Sequence, residues 1–377
     1  MNKNPFIFKP IPVESPFCDR IEILQKLKEY AQNGSDIVLS SPRRYGKTSL
    51  VRRVLHQCSD EYLTIYVSFE KLDSEKDVAA RIAQGIYAAI YARESTFEKA
   101  MRWAKKTLTS YSPSMQLNPD GTPSFSAIPQ AGIAGRQLLE QVMSDLQTMA
   151  EKVDNRIIIA FDEFQEITRL NGSDGIEGLL RTQIQFQEFS HIFIGSRRAV
   201  LKEMFEDPKR SFFKSAIIKS LSPLPIEDLI QYYMDQFALA GKKCPRTIAE
   251  QLATLSYGYG FYAQQYGYFA FSVTETTVDQ TAVLEATEAV LEQASPGFEM
   301  LLTTLPANQI KLLKSLAVEP THQLTAADYC QRHDLISSNV AYARKALVAQ
   351  DLIEQDADHD GLWRVVDPVM KAWLKRE

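Results

Sequence analysis

The chain has 377 residues, 45% apolar and 10% aromatic, enough to build two or three domains that each bury a core. Forty-two basic against 47 acidic residues leave a formal charge of −5, so any grip on nucleic acid or anionic lipid must come from a local patch and not from the whole surface. Cys18, Cys58, Cys244 and Cys330 form no CxxC pair, the histidines form no HExxH, and no stretch reads as a signal peptide or a membrane helix, so a cytoplasmic protein without disulfide framework, zinc site or membrane contact is expected.

In chain order, short β-branched or aromatic runs at 37–40 (IVLS), 62–69 (YLTIYVSF), 157–161 (IIIAF), 192–195 (IFIG) and 216–221 (AIIKSL) predict strands. Amphipathic stretches such as 74–92 and 135–152 separate them. Runs without apolar/polar alternation mean strands covered on both faces, the mark of a parallel sheet in an α/β fold. The polar stretch 109–134, with PDG at 119–121, predicts a small inserted β-hairpin. After SPLP at 222–225 only helices are predicted, over 226–240, 245–256, 261–275 and 279–293, and SPG at 295–297 marks a second boundary. Helices at 307–318, 325–333 and 337–350 then precede strands at 353–355 and 362–366 and a last helix, the order of a winged helix-turn-helix. The expected domains are a core over 1–222, a helical lid over 223–295 and a winged helix over 296–377.

The segment SPRRYGKT at 41–48 follows the strand IVLS and opens the helix SLVRRVLHQ, the context a P-loop requires. Ser41, Pro42, Arg43, Arg44, Tyr45, Gly46, Lys47, Thr48 and Ser49 are therefore the expected ATP-binding run. Loop N–H groups would cradle the phosphates, Lys47 would reach the β and γ oxygens, and Thr48 would ligate Mg2+. Ser41 replaces the first glycine of GxxxxGK[ST]; with Pro42 after it, Ser41 is restrained to extended backbone and needs no positive φ.

IIIAFDEFQEI at 157–167 reads as a buried strand that delivers Asp162 and Glu163 to the carboxyl edge of the same sheet, a Walker B pattern with a second carboxylate. Asp162 would hold Mg2+ and Glu163 would orient the attacking water. A strand and helix between the two motifs favour the glutamate-bearing P-loop ATPases over kinases and GTPases.

The pieces NPFIFKPIPVESPFCDRIEIL, SPRRYGKTSLVRRV, IIIAFDEFQEI, IFIGSRRAVLKEMFEDPKRSFFKSA and RVVDPVMKAWL resemble the archaeal-type ATPase family, itself similar to AAA+ origin-recognition ATPases and to STAND signalling ATPases. The resemblance implies a core, lid and winged helix. It implies a sensor 1 position at Ser196, Arg197 and Arg198, with Arg197 as a γ-phosphate contact, and Arg210 as a candidate arginine finger acting in cis or in trans. It places Asp19 and Arg20 near the base, although an N-cap at Asp19 accounts for that stretch almost as well. In GYGFYAQQ, Gly260 stands where the family's adenine-packing proline is expected.

The helix 337–350 offers Ser337, Ser338, Asn339, Arg344 and Lys345 to a DNA groove. Yet residues 298–377 hold nine Lys/Arg against eleven Asp/Glu, with Asp356, Asp358 and Asp360 at the wing tip. Affinity for DNA rests largely on phosphate neutralisation, so contact with another protein surface or with the chain's own ATPase core is favoured over DNA. DADHDG followed by Asp367 also fits a calcium-loop spacing, but the alternating LWRVV after it predicts an ordinary hairpin turn. The whole reads as an ATP-hydrolysing switch; a STAND-like regulator that gates a protein partner with slow turnover is the alternative. Oligomeric state is left open.

Overall fold

The computed structural model describes residues 3–7, 18–94, 96–118, 123–356 and 361–376. Two compact units emerge: Arg20–Ser41 with Lys47–Leu221, and Met1–Asp19 with Pro42–Gly46 and Ser222–Glu377.

The first unit runs α1 (Ile21–Gln32), β1 (Ile37–Ser40), α2 (Lys47–Cys58), β2 (Leu63–Ser68), α3 (Glu75–Arg93), α4 (Phe97–Thr107), β3 (Tyr111–Leu117), β4 (Pro123–Pro129), α5 (Gly135–Lys152), β5 (Ile157–Asp162), a 3-10 helix (Phe164–Arg169), α6 (Ser173–Ile184), β6 (Ser190–Gly195), α7 (Arg198–Glu206) and β7 (Ile217–Ser220). The sheet has strand order β2-β5-β6-β1-β7 and is parallel throughout. Every residue of β5 and β6 is buried, as expected of strands covered on both faces. β6 lies between β1 and β5, the spacing of the glutamate-bearing P-loop class anticipated from the motif order.

Local chemistry explains how the sheet is covered. α3 starts at Ser74, whose hydroxyl accepts from Asp77 N at 3.4 Å, and it buries Val78, Ile82, Ile86 and Ile90 on one stripe. It packs close on β2 because residue 85 is glycine: a Cβ there would stand 2.8 Å from Val67 Cγ2 and 2.9 Å from Tyr66 O. Phe161, Phe164, Phe193, Phe205 and Phe212 form a buried aromatic cluster, with Phe164 and Phe193 centroids 4.6 Å apart. Phe161 and Phe164 flank the two acids, so the same burial that stabilises the core also pins the backbone of Asp162 and Glu163. Truncating either ring should cost about 3–5 kcal/mol. β3 and β4 pair as an antiparallel hairpin from Tyr111↔Pro129 to Leu117↔Pro123; the PDG turn lies outside the described residues.

The second unit contains α8 (Ile226–Leu239), α9 (Arg246–Ser256), α10 (Gly260–Val273), α11 (Gln280–Thr303), α12 (Ala307–Val318), α13 (Ala327–Arg332), α14 (Ser337–Ala349), β8 (Ile353–Asp356), β9 (Leu362–Val365) and α15 (Pro368–Leu374). α11 passes unbroken through Ser295-Pro296-Gly297, where the sequence suggests a boundary. Proline removes one helical hydrogen bond there. The helix is held across that point by tertiary contacts, with Trp373 Nε1 donating to Ser295 Oγ at 2.9 Å and Phe298 packing on Trp373 at 5.6 Å. β8 and β9 form the wing with Ile353 opposite Val365. The wing tip at 357–360, with Asp358 and Asp360, lies outside the described residues. Asp367 caps α15, accepting from Val369 N and Met370 N at 3.0 Å each, so the residue that completes the calcium-like spacing serves a helix end. Among the described residues no helix is long and apolar enough to cross a membrane.

Candidate active site

In the first unit, β1 ends at Ser40 opposite Gly195 of β6, and β5 ends at Asp162 opposite Ser68 of β2. These carboxyl ends gather the predicted residues. Lys47, the first residue of α2, is buried, and its Nζ donates to Ser41 O at 2.7 Å and Ser41 Oγ at 3.2 Å. Ser41 thus does more than tolerate the lost glycine: its carbonyl and hydroxyl solvate the ammonium. Its φ is not positive, whereas Gly46 sits at +91°.

Thr48 Oγ1 donates to Asp162 Oδ2 at 2.7 Å, joining the P-loop helix to the end of β5. Asp162 Oδ1 accepts from Glu163 N at 3.0 Å. A third donor was not anticipated: Tyr66, on β2, gives its hydroxyl to Asp162 Oδ2 at 2.5 Å. Burial, then the Asp162 charge, push the Tyr66 phenol well above its ordinary range, so it stays a protonated donor. Arg52 stacks over the Tyr66 ring at 4.5 Å. Nothing in the sequence marks Tyr66; it lies on β2, where burial alternates instead of covering both faces.

Glu163 leaves the strand with φ +54°, left-handed backbone for a residue that has a Cβ. Its Oε2 accepts from Ser196 Oγ at 2.9 Å and from Gln165 Nε2. Ser196 thus stands beside the Walker B acids, where the resemblance placed a sensor. The two candidate arginines are engaged elsewhere. Arg197 Nη2 donates to Glu166 Oε1 at 2.8 Å and to Gln165 O at 3.4 Å. Arg210 forks onto the buried Glu177, Nη2 to Oε1 and Nε to Oε2 at 3.2 Å, and reaches Glu203 Oε1 at 3.0 Å. Burial raises the Glu177 carboxyl, and Arg210 opposes that rise. Arg20 is buried with φ +76° and is itself the N-cap of α1 without a side-chain cap bond, so Asp19, at φ +52°, does not cap the helix. Two successive left-handed residues turn the chain into α1 where a capping side chain would otherwise serve. Ser49 follows Thr48 in the first turn of α2 and is half-buried.

Within the second unit, the middle of the P-loop run has its own partners. Arg44, at φ +69°, donates Nη1 to Asp367 Oδ2 at 2.7 Å and to Tyr262 OH, and its guanidinium lies 5.1 Å from the Tyr262 ring centroid and 5.3 Å from that of Phe261. Phe261 N donates to Arg44 O at 3.1 Å, and Tyr45 packs edge-on to Tyr259 at 4.4 Å. Arg43 is exposed, and Pro42 is buried. Gly260 opens α10, and a Cβ there would meet only ordinary contacts, the nearest 3.7 Å away. Tyr342 on α14 and Ile336 at its N-cap are exposed at 72% and 67%, and Arg344 lies 5.6 Å from the Trp363 ring.

Known proteins place this arrangement. The family described as an ATPase domain predominantly from Archaea matches residues 17–221, and a probable winged helix domain matches 296–376. Among solved structures, a Walker-type ATPase of Pyrococcus abyssi is similar at TM-score 0.73 and 18% identity, over 98% of this chain and 99% of that one. The ORC2 protein of Aeropyrum pernix, in ADPNP and ADP complexes, is similar at 0.60 and 14%, over 98% and 97%. The Aeropyrum pernix ORC1 protein, in complex with DNA, is similar at 0.51 and 14%, over 100% and 97%. At these identities the likeness is one of fold. No functionally curated protein sequence shows significant similarity to the chain.

Proposed function

Because the chain belongs to the family of ATPase domains found predominantly in Archaea, and so binds and hydrolyses nucleotide, we propose that Lys47, Thr48, Asp162 and Glu163 carry its ATP turnover and that the turnover drives a molecular switch. The observation that carries this reading is the 2.7 Å bond from Thr48 Oγ1 to Asp162 Oδ2, with the Glu163 carboxylate on the next residue. A hydroxyl and a carboxylate are hard oxygen donors suited to Mg2+, which when bound neutralises charge on the β and γ phosphate oxygens. Lys47, exchanging Ser41 for phosphate, contributes a compact cation in a buried setting where it acts strongly. The backbone N–H groups from Arg43 to Ser49 bind phosphate oxygens. Glu163 accepts a proton from the attacking water and orients it in line with the γ-phosphate. Arg197 serves turnover, its guanidinium held ready by Glu166. Arg210 could act as a finger only by leaving Glu177, and its first role is to neutralise that buried acid. Asp19 and Arg20 lie toward the base end of the site in this reading, and the organisation into core, lid and winged helix follows 1–222, 223–295 and 296–377.

The regulatory, STAND-like alternative has one observation in its favour: Arg44 of the phosphate-loop run is bound directly to Asp367, the cap of the last winged-helix helix, and both also bond Tyr262. A loop so tied responds to winged-helix movement, and slow turnover with retained nucleotide would follow. For the winged helix we favour a protein partner over DNA, given its net acidic composition and the exposed Tyr342 on, and Ile336 at the N-cap of, the helix that would otherwise read a groove.

Calorimetry on the parent and Lys47→Ala tests the nucleotide site. The variant is expected to lose ATP binding because the phosphate-facing cation is gone; equal affinity in the two proteins removes the P-loop assignment.

A further inference from the structure

We infer that Gln165 is a positioning residue for ATP hydrolysis, holding Glu163 so that one carboxylate oxygen is clamped and the other is presented to water. The inference rests on the proposed role of Glu163 and deepens it.

Gln165 is completely buried within the Walker B segment. Its Nε2 donates to Glu163 Oε2 and stands 3.5 Å from Glu166 Oε1. Its amide cannot turn over, because the oxygen would then face two carboxylates. In the orientation that chemistry demands, Oε1 is left with no hydrogen-bond partner among the described residues. It occupies the space beside Gly195, where a Cβ would stand 2.1 Å from it. Glycine at the end of β6 is therefore what makes room for this amide. A buried amide oxygen without a partner is costly, and so is the left-handed backbone of Glu163. Both costs fall on the same few residues, and both serve the same end, which is to bring the Gln165 donor against Glu163.

The consequence for the carboxylate is asymmetric. Oε2 takes two donors, Ser196 Oγ at 2.9 Å and Gln165 Nε2. Oε1 has no protein partner among the described residues. Two donors on one oxygen fix the rotation of the carboxylate plane, whereas Ser196 alone would leave it free to pivot about one bond. The remaining oxygen is then the one acceptor in a defined direction for the water that Glu163 must hold. The clamp extends outward as well: Arg197 Nη2 bonds both Gln165 O and the Glu166 oxygen that Gln165 approaches. Arg197 can thus affect hydrolysis through Gln165 and Glu166, without touching Glu163.

The test compares Gln165→Met, which keeps the unbranched shape but has no donor, with the parent. Steady-state hydrolysis and the affinity for ATPγS are measured for both, and again in a Glu163→Gln background. The expected result is a fall in kcat of about tenfold with KM and ATPγS affinity unchanged, and no further loss when Gln165→Met is added to Glu163→Gln. Gly195→Ala gives a second route to the same state, since the added methyl displaces the amide while leaving its chemistry intact; it should show the same selective loss of kcat. Glu163-dependent turnover that Gln165→Met leaves intact overturns the positioning role alone. So does a loss that accumulates on top of Glu163→Gln, or one shared by KM and nucleotide affinity, since either would mark Gln165 as merely structural. Turnover indifferent to Glu163→Gln overturns the reading of Glu163 and the inference with it.

Discussion

Arg210→Ala separates a residue that stabilises the fold from one that waits for a phosphate. Arg210 grips Glu177 with two nitrogens, and the Glu177 side chain is 2% exposed, while the further partner Glu203 is 55% exposed. The Glu203 contact is in solvent and adds little. Removing the guanidinium leaves a buried carboxylate with no compensating charge, a loss of about 3 kcal/mol on the scale of broken buried pairs. For a unit of this size each kcal/mol moves the melting temperature by about 2–4 °C, so a fall of about 6–12 °C is expected. The loss also depends on pH. Burial already raises the Glu177 carboxyl above its ordinary value, and without Arg210 it rises further. A raised acid contributes stability that is present below its unfolded value and is lost as pH rises through the folded value. The variant should therefore be less destabilised near pH 5 than near pH 8, and Glu177→Gln should remove most of that difference. Thermal unfolding of the three proteins at the two pH values measures it. A pH-independent loss below about 1 kcal/mol, accompanied by a collapse in turnover, would return Arg210 to the role of a free finger.

Tyr66→Phe deletes one donor from the oxygen of Asp162 that Thr48 also uses, so the Mg2+ concentration for half-maximal turnover should rise about tenfold while nucleotide affinity holds; an unchanged Mg2+ dependence rejects the contact as functional. In gel-shift titrations at two salt concentrations the parent should show no submicromolar affinity for duplex DNA at near-physiological salt. Tight binding there, abolished by Arg344→Ala with Lys345→Ala, would overturn the preference for a protein partner.

Much of this site could be read from local chemistry because its parts are contiguous. SPRRYGKT and IIIAFDEF each carry strand, turn and functional group in one short run, and a parallel sheet brings such carboxyl ends together whatever else the chain does. Gln165 and Gly195 were not legible, because their relation exists only in the register that sets β6 beside β5, thirty residues away. Tyr66 was hidden for the same reason, reaching Asp162 from a neighbouring strand. The partners of the two arginines were not legible either: Arg197 is held by Glu166 and Arg210 by Glu177, and no local pattern in the sequence pairs these residues. At 295–297 local rules of proline and glycine suggested a break, and packing of Phe298 and Ser295 on Trp373 overrode them. At Asp19 a capping residue type was present, but the backbone turned before the helix began.

In the proposed reaction Glu163 acts in hydrolysis and not in binding. A single turnover of ATP already bound to the parent and to Glu163→Gln, with Mg2+ present, separates the two roles. Both proteins should retain ATP equally, the parent should cleave it, and the variant should cleave it at least about a hundredfold more slowly. Cleavage of bound ATP at the parental rate by Glu163→Gln would show that another group activates the water.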